Sequence, residues 1–347
     1  MAESAPTLAV SNTVISDFRR CEQLYSYRYV DRLRRKDRAP APELGTMLHS
    51  YFELYYQALK DGNDPATAHG ESQMAVSSKY MPEIKRFANA AHIGGADDLA
   101  TDLLALPKVV GRISSRYYAA RGRADATRHK VLLVEEFANI EITKGIVSNA
   151  RIDLVTEEQE RGLIWLWEHK STKDIPDVNW RLRDQQTPLY ARKLEQLELC
   201  PPIDAVLWNY VRTKEPTAPE VGKRGEPTKR ANLDSTWPTY LKVIEELGLN
   251  PADFDDVRRR LEPRELAEFF PRFEQPIVSE VDLLFRDYVR TAKDIRLRRK
   301  QWAAKARRPV RSLARECGFC DFHSLCLAAI MTGSDRDVRL QRFIAGT

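Results

Sequence analysis

The sequence contains no long apolar run and few cysteines. Among its 347 residues, no stretch reaches the roughly 20 apolar residues that a membrane-spanning helix needs. With no signal peptide and only five cysteines, we expect a cytoplasmic protein, where disulfides are rare and clustered cysteines more often bind metal. The sequence also has no internal repeat and no G-x-x-x-x-G-K-S/T phosphate loop, so it lacks the nucleotide-driven motor that this loop would build.

Length and composition allow one elaborated domain or two, since 43% of the residues are hydrophobic. The net charge is only +5, but the charges are unevenly distributed. Residues 286–311 contain eleven lysines and arginines against two aspartates, and residues 19–38 contain eight against three acidic residues. Such runs fit a phosphate-backbone partner. The alternative for the first run is the solvated face of a packed helix, because its apolar residues follow helical spacing: Val281, Leu284, Phe285, Tyr288, Ile295 and Trp302.

Two apolar segments in the middle of the chain predict a β-hairpin. Residues 147–156 and 162–170 are rich in β-branched and aromatic residues and are separated by a charged turn. Because residues two apart on a strand share a face, Glu168 and Lys170 lie on one face, which Asp153 of the partner strand can also reach. The same face carries Ile164 and Leu166, and the opposite face carries Trp165, Trp167 and His169.

Asp153, Glu168 and Lys170 are suited to phosphodiester chemistry. Mg²⁺ and Mn²⁺ prefer oxygen ligands, commonly one or two carboxylates with substrate phosphate and water. A lysine beside them can stabilise charge on the phosphoryl oxygens and orient or deprotonate the attacking water. The three residues therefore indicate a nuclease. The alternative is a cross-strand salt bridge without a chemical role.

Further candidate residues flank the hairpin. The segment Gly45-Thr46-Met47-Leu48-His49 opens a helical pattern that leaves His49 near the N-terminal turn. Its apolar face consists of Leu48, Phe52, Tyr55 and Tyr56. Gln186 and Tyr190 lie one turn apart in a second helical stretch. Between hairpin and helix lie Lys173, Arg181 and Arg183. Taken singly, the histidine is more often structural, and the glutamine and tyrosine are more often a surface pair.

The cysteines predict a metal site near the C-terminus. Cys317, Cys320 and Cys326 supply three thiolates, so a fourth ligand must come from elsewhere. If it is Cys21, the four thiolates fit a 4Fe-4S cluster that clamps the two chain ends together. If it is His323, the site is a local Cys₃His zinc site. Spacing rules alone do not separate the two metals.

The order Gly45-Thr46-x-x-His49, Asp153, Glu168-x-Lys170 and Gln186-x-x-x-Tyr190 resembles the RecB-like branch of the PD-(D/E)xK nuclease superfamily. Cys21 before an aromatic run and the closing Cys317-x-x-Cys320-x5-Cys326 resemble its iron-sulfur subgroup. That subgroup includes the CRISPR-associated spacer-acquisition exonucleases and the AddB nuclease domain. The resemblance does not cover about 57–130 or 213–285. Ile152 stands where the superfamily's name has proline.

The resemblance implies roles for the matching residues. Asp153, Glu168 and Lys170 would be catalytic. The ligands for Mg²⁺ or Mn²⁺ would be His49, Asp153, Glu168 and the backbone carbonyl of His169. The residues expected to contact DNA or support the site are Gln186, Tyr190, Lys173, Arg181 and Arg183. The resemblance also favours a 4Fe-4S cluster over zinc, with the ligands Cys21, Cys317, Cys320 and Cys326.

We therefore expect an α/β fold with a mixed-sheet PD-(D/E)xK (restriction-endonuclease-like) core, a helical N-terminal segment, a helical insertion and a cysteine-bearing C-terminal region. Strands are predicted near 131–142, 147–156, 162–170 and 205–212, a helix near 178–197 and a mobile loop over 214–233. The expected organisation is an N-terminal helical segment with the first cluster cysteine and the motif histidine (1–50), a helical insertion (51–130), the nuclease core (131–213), a loop and helical insertion (214–280), and the basic helix with the cysteine region (281–347).

The expected function is that of a metal-dependent deoxyribonuclease. The resemblance implies an exonuclease that prefers single-stranded DNA or DNA ends and acts in recombination, repair, spacer capture or phage DNA processing. A phage-encoded protein would act in the bacterial host cytoplasm, and a helicase or recombination protein is the expected partner. The alternatives are a catalytically silent iron-sulfur module for DNA binding or assembly, and a structure-specific or sequence-specific endonuclease. A complete set of site residues argues against the silent module, because a scaffold does not need carboxylates buried beside a lysine.

Overall fold

A mixed sheet of six strands forms the centre of the structure, a computed structural model that describes residues 7–36, 39–223, 225–277 and 281–345. The first half of the chain contains β1 (Leu8–Val10), α1 (Asn12–Arg20), α2 (Glu22–Tyr25), β2 (Leu33–Arg35), α3 (Pro40–Lys60), α4 (Pro65–Ile93), α5 (Asp97–Tyr117), α6 (Arg123–Arg128), β3 (His129–Thr143), β4 (Ile146–Glu158) and β5 (Ile164–Thr172). The second half contains α7 (Val178–Leu182), α8 (Gln186–Gln196), β6 (Ala205–Arg212), α9 (Trp237–Glu246), α10 (Asp255–Leu261), β7 (Arg272–Pro276), α11 (Val281–Ala303), α12 (His323–Thr332), α13 (Arg336–Arg342) and β8 (Phe343–Ala345).

The sheet combines antiparallel and parallel pairing. Its main order is β3-β4-β5-β6-β7, with β5 and β6 parallel and the other neighbours antiparallel. The short β1 pairs in parallel with the beginning of β4. The α/β mixed-sheet prediction is confirmed, and so are the predicted strands that correspond to β3, β4, β5 and β6.

The strands β4 and β5 separate in the middle of the sheet. They pair only where Leu154–Glu157 meets Ile164–Trp167. Beyond that point β5 remains paired with β6 as far as Thr172. Asp153 and Glu168 would form the next pair, so they face each other at the beginning of a gap in the sheet. We call this gap the fork.

The two faces of β5 pack in the predicted way. Trp165 and Trp167 belong to a core cluster with Leu48, Phe52, Tyr55 and Tyr56 of α3. Ile164 and Leu166 belong to a second cluster with Tyr190 and Leu194 of α8. Full burial of a large apolar side chain contributes about 1.5–3 kcal/mol. The α3 helix is therefore held against one face of the sheet and α8 against the other.

Two helix boundaries differ from the sequence-based prediction. The α3 helix begins at Pro40, so His49 lies in its third turn and the prediction that it lies near the N-terminal turn is wrong. Proline suits a first turn because its missing N–H needs no partner there. The stretch predicted near 178–197 consists of two helices, and between them the Asp184 side chain, one residue before the N-cap Gln185, accepts hydrogen bonds from both the backbone nitrogen and the hydroxyl of Thr187. These bonds cap a new helix.

The chain ends meet in a small second sheet. β2 pairs antiparallel with β8. Around this ribbon lies a core cluster of Leu24, Tyr27, Leu33, Phe322, Leu325 and Phe343, against which Cys21, Cys320 and Cys326 pack. The strands β1, β2, β7 and β8 were not predicted, because strands of three to five residues show no clear alternation.

Other expectations concern the insertions and the basic runs. The region 51–123 is helical as predicted, although α3 continues across residues 50 and 51. Within the described part of 214–233 the chain forms no helix and only an isolated bridge between Val221 and Pro227. The second basic run includes Asp37 and Arg38, which lie outside the described residues. Among the described residues, no helix combines the length and apolar character needed to cross a membrane.

Candidate active site

The fork builds the candidate site at the centre of the sheet. The Asp153 carboxylate accepts a hydrogen bond from the backbone nitrogen of His169 at 3.0 Å. A side chain thus bridges the two strands where their backbone ladder has ended. Because the sheet is open there, His49 reaches the fork from α3 on one face, and Gln186 reaches it from α8 on the other. Strand separation therefore brings together residues that an unbroken sheet would keep apart.

Glu168 is the most deeply buried acid of the site. Its Oε1 atom accepts hydrogen bonds from Lys170 Nζ at 2.5 Å and from Gln186 Nε2 at 2.8 Å. Its Oε2 atom is buried and has no partner among the described residues. A buried carboxylate oxygen without a partner is costly, because it has lost its hydration without replacement. This oxygen is therefore suited to bind a cation.

His49 and a residue absent from the prediction complete the acidic cluster. Within the described chain, one group of three or more His, Cys, Asp or Glu residues has ligand atoms all within 4.8 Å of one another: His49, Glu135 and Asp153. His49 Nδ1 lies 3.9 Å from Asp153 Oδ2. Burial lowers the pKa of His49, which favours the neutral imidazole that binds metals.

Glu135 lies opposite Asp153 on the neighbouring strand, since Val134 pairs with Leu154 and Glu136 with Ile152. Its φ angle is +48°, in the left-handed region that a non-glycine residue rarely adopts. Such conformations cost about 1–3 kcal/mol and concentrate at functional sites. The sequence signal was a pair of glutamates that interrupts an otherwise apolar strand.

The site contains three carboxylates that are largely buried from water, those of Glu135, Asp153 and Glu168. Burial, followed by the charge of Asp153, raises the pKa of Glu135 to about 7. Burial also raises the pKa values of Asp153 and Glu168, although the ammonium of Lys170 opposes the shift in both. Arg151 Nε lies 2.5 Å from Glu135 and compensates part of the charge. A divalent cation would favour the ionised form of all three acids.

A buried polar network supports the site from behind. His169 Nδ1 lies 2.8 Å from Asn209 Nδ2, and Arg272 donates to Asn209 Oδ1 at 2.9 Å. The amide orientation that satisfies Arg272 makes Asn209 the donor to His169 Nδ1, which assigns the proton of a neutral imidazole to Nε2, a buried atom without a partner among the described residues. Arg272 also forms two hydrogen bonds of 2.6 Å with Asp125. Asp125 of the helical insertion thus holds Arg272 of β7, and Arg272 orients Asn209 against the His169 ring.

The remaining predicted residues occupy different environments. Tyr190 is buried, and burial, followed by the charges of Glu168 and Asp153, raises its pKa. The Arg181 guanidinium is buried 3.8 Å from the ring centre of Phe273, so it packs inside the protein. Lys173 and Arg183 are exposed and accessible to a ligand.

The four predicted cluster cysteines line one cavity of about 200 Å³. Its lining includes Cys21 from the N-terminal segment together with Cys317, Cys320 and Cys326, and His323 lies at the same cavity. Burial is the first cause of the raised pKa values of Cys320 and Cys326. Cys200 lies elsewhere, half-buried against the second core cluster.

The curated proteins contain no significant match to this sequence. The sequence model of the PD-(D/E)XK nuclease superfamily matches residues 9–327. That range includes the fork and the four cysteines, and nucleases of this superfamily cleave phosphodiesters with Mg²⁺ or Mn²⁺. The superfamily predicted from the motif order is thereby confirmed, and this chain belongs to the PD-(D/E)XK nuclease superfamily.

Proposed function

We propose that the chain is a metal-dependent deoxyribonuclease of the RecB-like branch, and that it degrades DNA from an end with a preference for single strands. The observation that carries the catalytic part is the fork, where Asp153 and Glu168 meet His49 and Lys170. The preference for ends and single strands rests on the motif resemblance.

The proposed cation site uses ligands from three strands and one helix. The ligands are His49, Glu135, Asp153, Glu168 and the backbone carbonyl of His169. The 4.8 Å cluster supports His49, Glu135 and Asp153, and the unpartnered Oε2 supports Glu168, whereas the His169 carbonyl rests on the motif resemblance. A divalent cation bound there would supply Lewis-acid polarisation of a phosphoryl oxygen and make water a stronger acid.

Lys170 contributes charge at the mouth of the site. Its side chain is 40% exposed, whereas that of Glu168 is 3% exposed. The ammonium can therefore contact a substrate phosphate while Glu168 fixes its position. Developing negative charge on the phosphoryl oxygens would be stabilised by this preorganised donor. Gln186 donates to the same carboxylate oxygen as Lys170, and Tyr190, one turn later on α8, is buried in the second core cluster.

Linear and circular single-stranded DNA of one sequence test the proposed reaction. With Mn²⁺ or Mg²⁺, we expect the end-labelled linear strand to be degraded and the circle to remain intact, because an exonuclease needs a terminus. Product lengths over time would also give the polarity. Cleavage of the circle would contradict the exonuclease proposal and favour an endonuclease. Binding without cleavage of either substrate would favour the catalytically silent module.

Glu135→Asn is expected to stabilise the metal-free protein while weakening cation binding at least tenfold. Asparagine tolerates a positive φ angle and removes one of three crowded negative charges. Arg151 keeps a partner, since Glu53 lies 3.1 Å away. Thermal melting with and without Mn²⁺ measures both effects. Glu136→Asn, on the next residue of the strand, is the matched control and should leave the Mn²⁺-induced shift unchanged. Equal Mn²⁺-induced shifts in wild type and Glu135→Asn would exclude Glu135 as a ligand.

We also propose that the cysteine cavity holds a 4Fe-4S cluster. Four sulfurs around one zinc ion lie about 3.8 Å apart, given a Zn–S bond of about 2.3 Å and tetrahedral geometry. Among the described residues, no three of these cysteines, with or without His323, bring their ligand atoms within 4.8 Å of one another. A larger cluster accommodates wider spacing, because each thiolate binds a different iron.

Removal of Cys21 tests which metal the cavity binds. After anaerobic purification, we expect the wild type to contain about four irons and four sulfides per chain, as in a 4Fe-4S cluster. Cys21→Ser should lose both together with visible absorbance, since serine removes a thiolate. Cys200→Ser is the control and should retain the full iron content. One zinc per chain that persists in Cys21→Ser would show a local site with His323 instead.

A further inference from the structure

Apart from the fork, the structure has a strongly basic groove at the C-terminal end of α11. Its volume is about 1,260 Å³, which exceeds the roughly 300–1,000 Å³ typical of small-molecule pockets. Five segments line it: the last turns of α11, the loop that follows, the turn between β3 and β4, the beginning of β1, and the segment between α2 and β2. Arg296 donates to the backbone oxygen of Lys144 at 2.7 Å, which joins the helix to the turn. The groove is thus a defined surface feature, large enough for a polymer.

The cations of this groove are largely uncompensated. Among its lining residues, Asp31 already pairs with Arg339 at 3.1 Å, and Arg307 pairs with Glu22 at 3.3 Å. Six further cations line the groove and form no ion pair with any described carboxylate: Lys144, Arg296, Arg299, Lys300, Lys305 and Arg308. Like charges gathered in a concave surface repel one another and create a strong positive potential. A chain of phosphates would neutralise them.

Trp302 gives the groove an aromatic component. It lines the groove while packing against Phe18 and Tyr25, with ring-centre distances of 6.5 and 6.0 Å. Its indole nitrogen is buried and has no hydrogen-bond partner among the described residues. Aromatic rings beside a basic track are typical of single-strand binding sites, where bases stack while cations hold the backbone.

We propose that this groove binds the backbone of a single DNA strand whose end is cleaved at the fork. This inference rests on the proposed function and adds a remote holding site to it. The β4 strand connects the two places, because Gly145 lines the groove and Asp153 stands in the fork. At about 3.3 Å per residue, these eight steps span at most about 26 Å. A strand of about eight stacked nucleotides, at 3.4 Å each, covers the same distance.

The test uses charge reversal at three exposed groove cations, Lys300→Glu/Lys305→Glu/Arg308→Glu. The matched control reverses three exposed cations elsewhere, Lys60→Glu/Lys223→Glu/Arg259→Glu. Binding of a labelled 30-nucleotide single strand is measured by fluorescence anisotropy in chelator-containing buffer across a range of salt concentrations. Far-UV circular dichroism and thermal melting verify that both triple variants are folded.

For the groove variant, we expect at least tenfold weaker binding than for the control. The slope of log affinity against log salt should fall in magnitude by about 2, because each lost phosphate contact on a single strand contributes about 0.7. Equal affinities and equal slopes in the groove and control variants would overturn the proposal.

Cleavage kinetics on two lengths test the remote position. The kcat/KM for the 30-nucleotide strand should fall at least tenfold in the groove variant, whereas a 4-nucleotide strand, too short to reach the groove, should be cleaved as by the wild type. If kcat/KM fell equally for the 30- and 4-nucleotide strands, the proposal of a remote binding site would be overturned. If the wild type cleaved neither length but bound the 30-nucleotide strand more tightly than the groove variant, the nuclease function would be overturned while the groove would remain a DNA-binding site.

Discussion

Lys170→Ala is expected to reduce the rate of phosphodiester cleavage by a factor of about 100–1,000, the usual effect of removing one preorganised donor from a developing anion. Glu168 holds the Lys170 ammonium at 2.5 Å, while part of the lysine side chain reaches solvent. Alanine leaves the acidic cluster of the fork in place, so cation binding should persist. The loss should therefore appear in kcat.

Single-turnover cleavage of an end-labelled strand, at saturating enzyme and Mn²⁺, measures this step. Lys130→Ala is the matched control, since Lys130 lies on the same sheet with a largely exposed side chain. It should cleave at the wild-type rate. A KM increase with unchanged kcat in Lys170→Ala would show that the lysine binds the ground state and the transition state equally, which contradicts a catalytic role.

Arg272→Met is expected to have the largest effect on stability, lowering the free energy of unfolding by about 3–5 kcal/mol. Arg272 and Asp125 form a buried ion pair with two contacts of 2.6 Å, and methionine would leave the aspartate uncompensated. Tyr56 donates a further hydrogen bond to Asp125 at 2.8 Å, but a neutral hydroxyl does not replace a guanidinium. Because the same arginine orients Asn209 behind His169, we also expect cleavage to weaken.

Urea unfolding of a double-mutant cycle measures the pair. The double variant Arg272→Met/Asp125→Leu should be more stable than the sum of the single losses predicts, since it leaves no charge unpaired. Lys242→Ala, at an exposed pair with Glu246, is the surface control and should change stability by less than about 1 kcal/mol. Additive losses in the cycle would show that the two charges act independently.

The hairpin and its chemistry were predictable from sequence because both depend on local pattern. Alternation placed Glu168 and Lys170 on the face of β5 opposite Trp165 and Trp167, and the structure has this arrangement. Asp153 was predictable as a partner because a hairpin sets its register through the turn. The proximity of Cys21 to the C-terminal cysteines came from the resemblance, since residue spacing carries no information about so distant a contact.

Other parts of the site have no local signature. The fork depends on where β5 leaves β4, which is decided by packing against α3 and α8. Glu135 enters the site through a positive φ angle, although strand alternation predicts an extended backbone. Asp125 and Arg272 are single charged residues in regions without a motif, and they become a pair only when β7 joins the sheet. Such features follow from the tertiary fold.

The pairing of β2 with β8 has a consequence for synthesis of the protein. Tyr27 donates a hydrogen bond to Asp335, which the ribosome adds 308 residues later. The N-terminal segment therefore cannot complete its core until Asp335 and β8 have been synthesised, and contacts so distant in sequence slow folding. A ribosome that stalls before β8 is made would release a chain that contains every residue of the fork but lacks the partner strand of β2. Loss of β8 would thus remove Phe343 from the cluster against which Cys21, Cys320 and Cys326 pack, without touching the proposed catalytic residues.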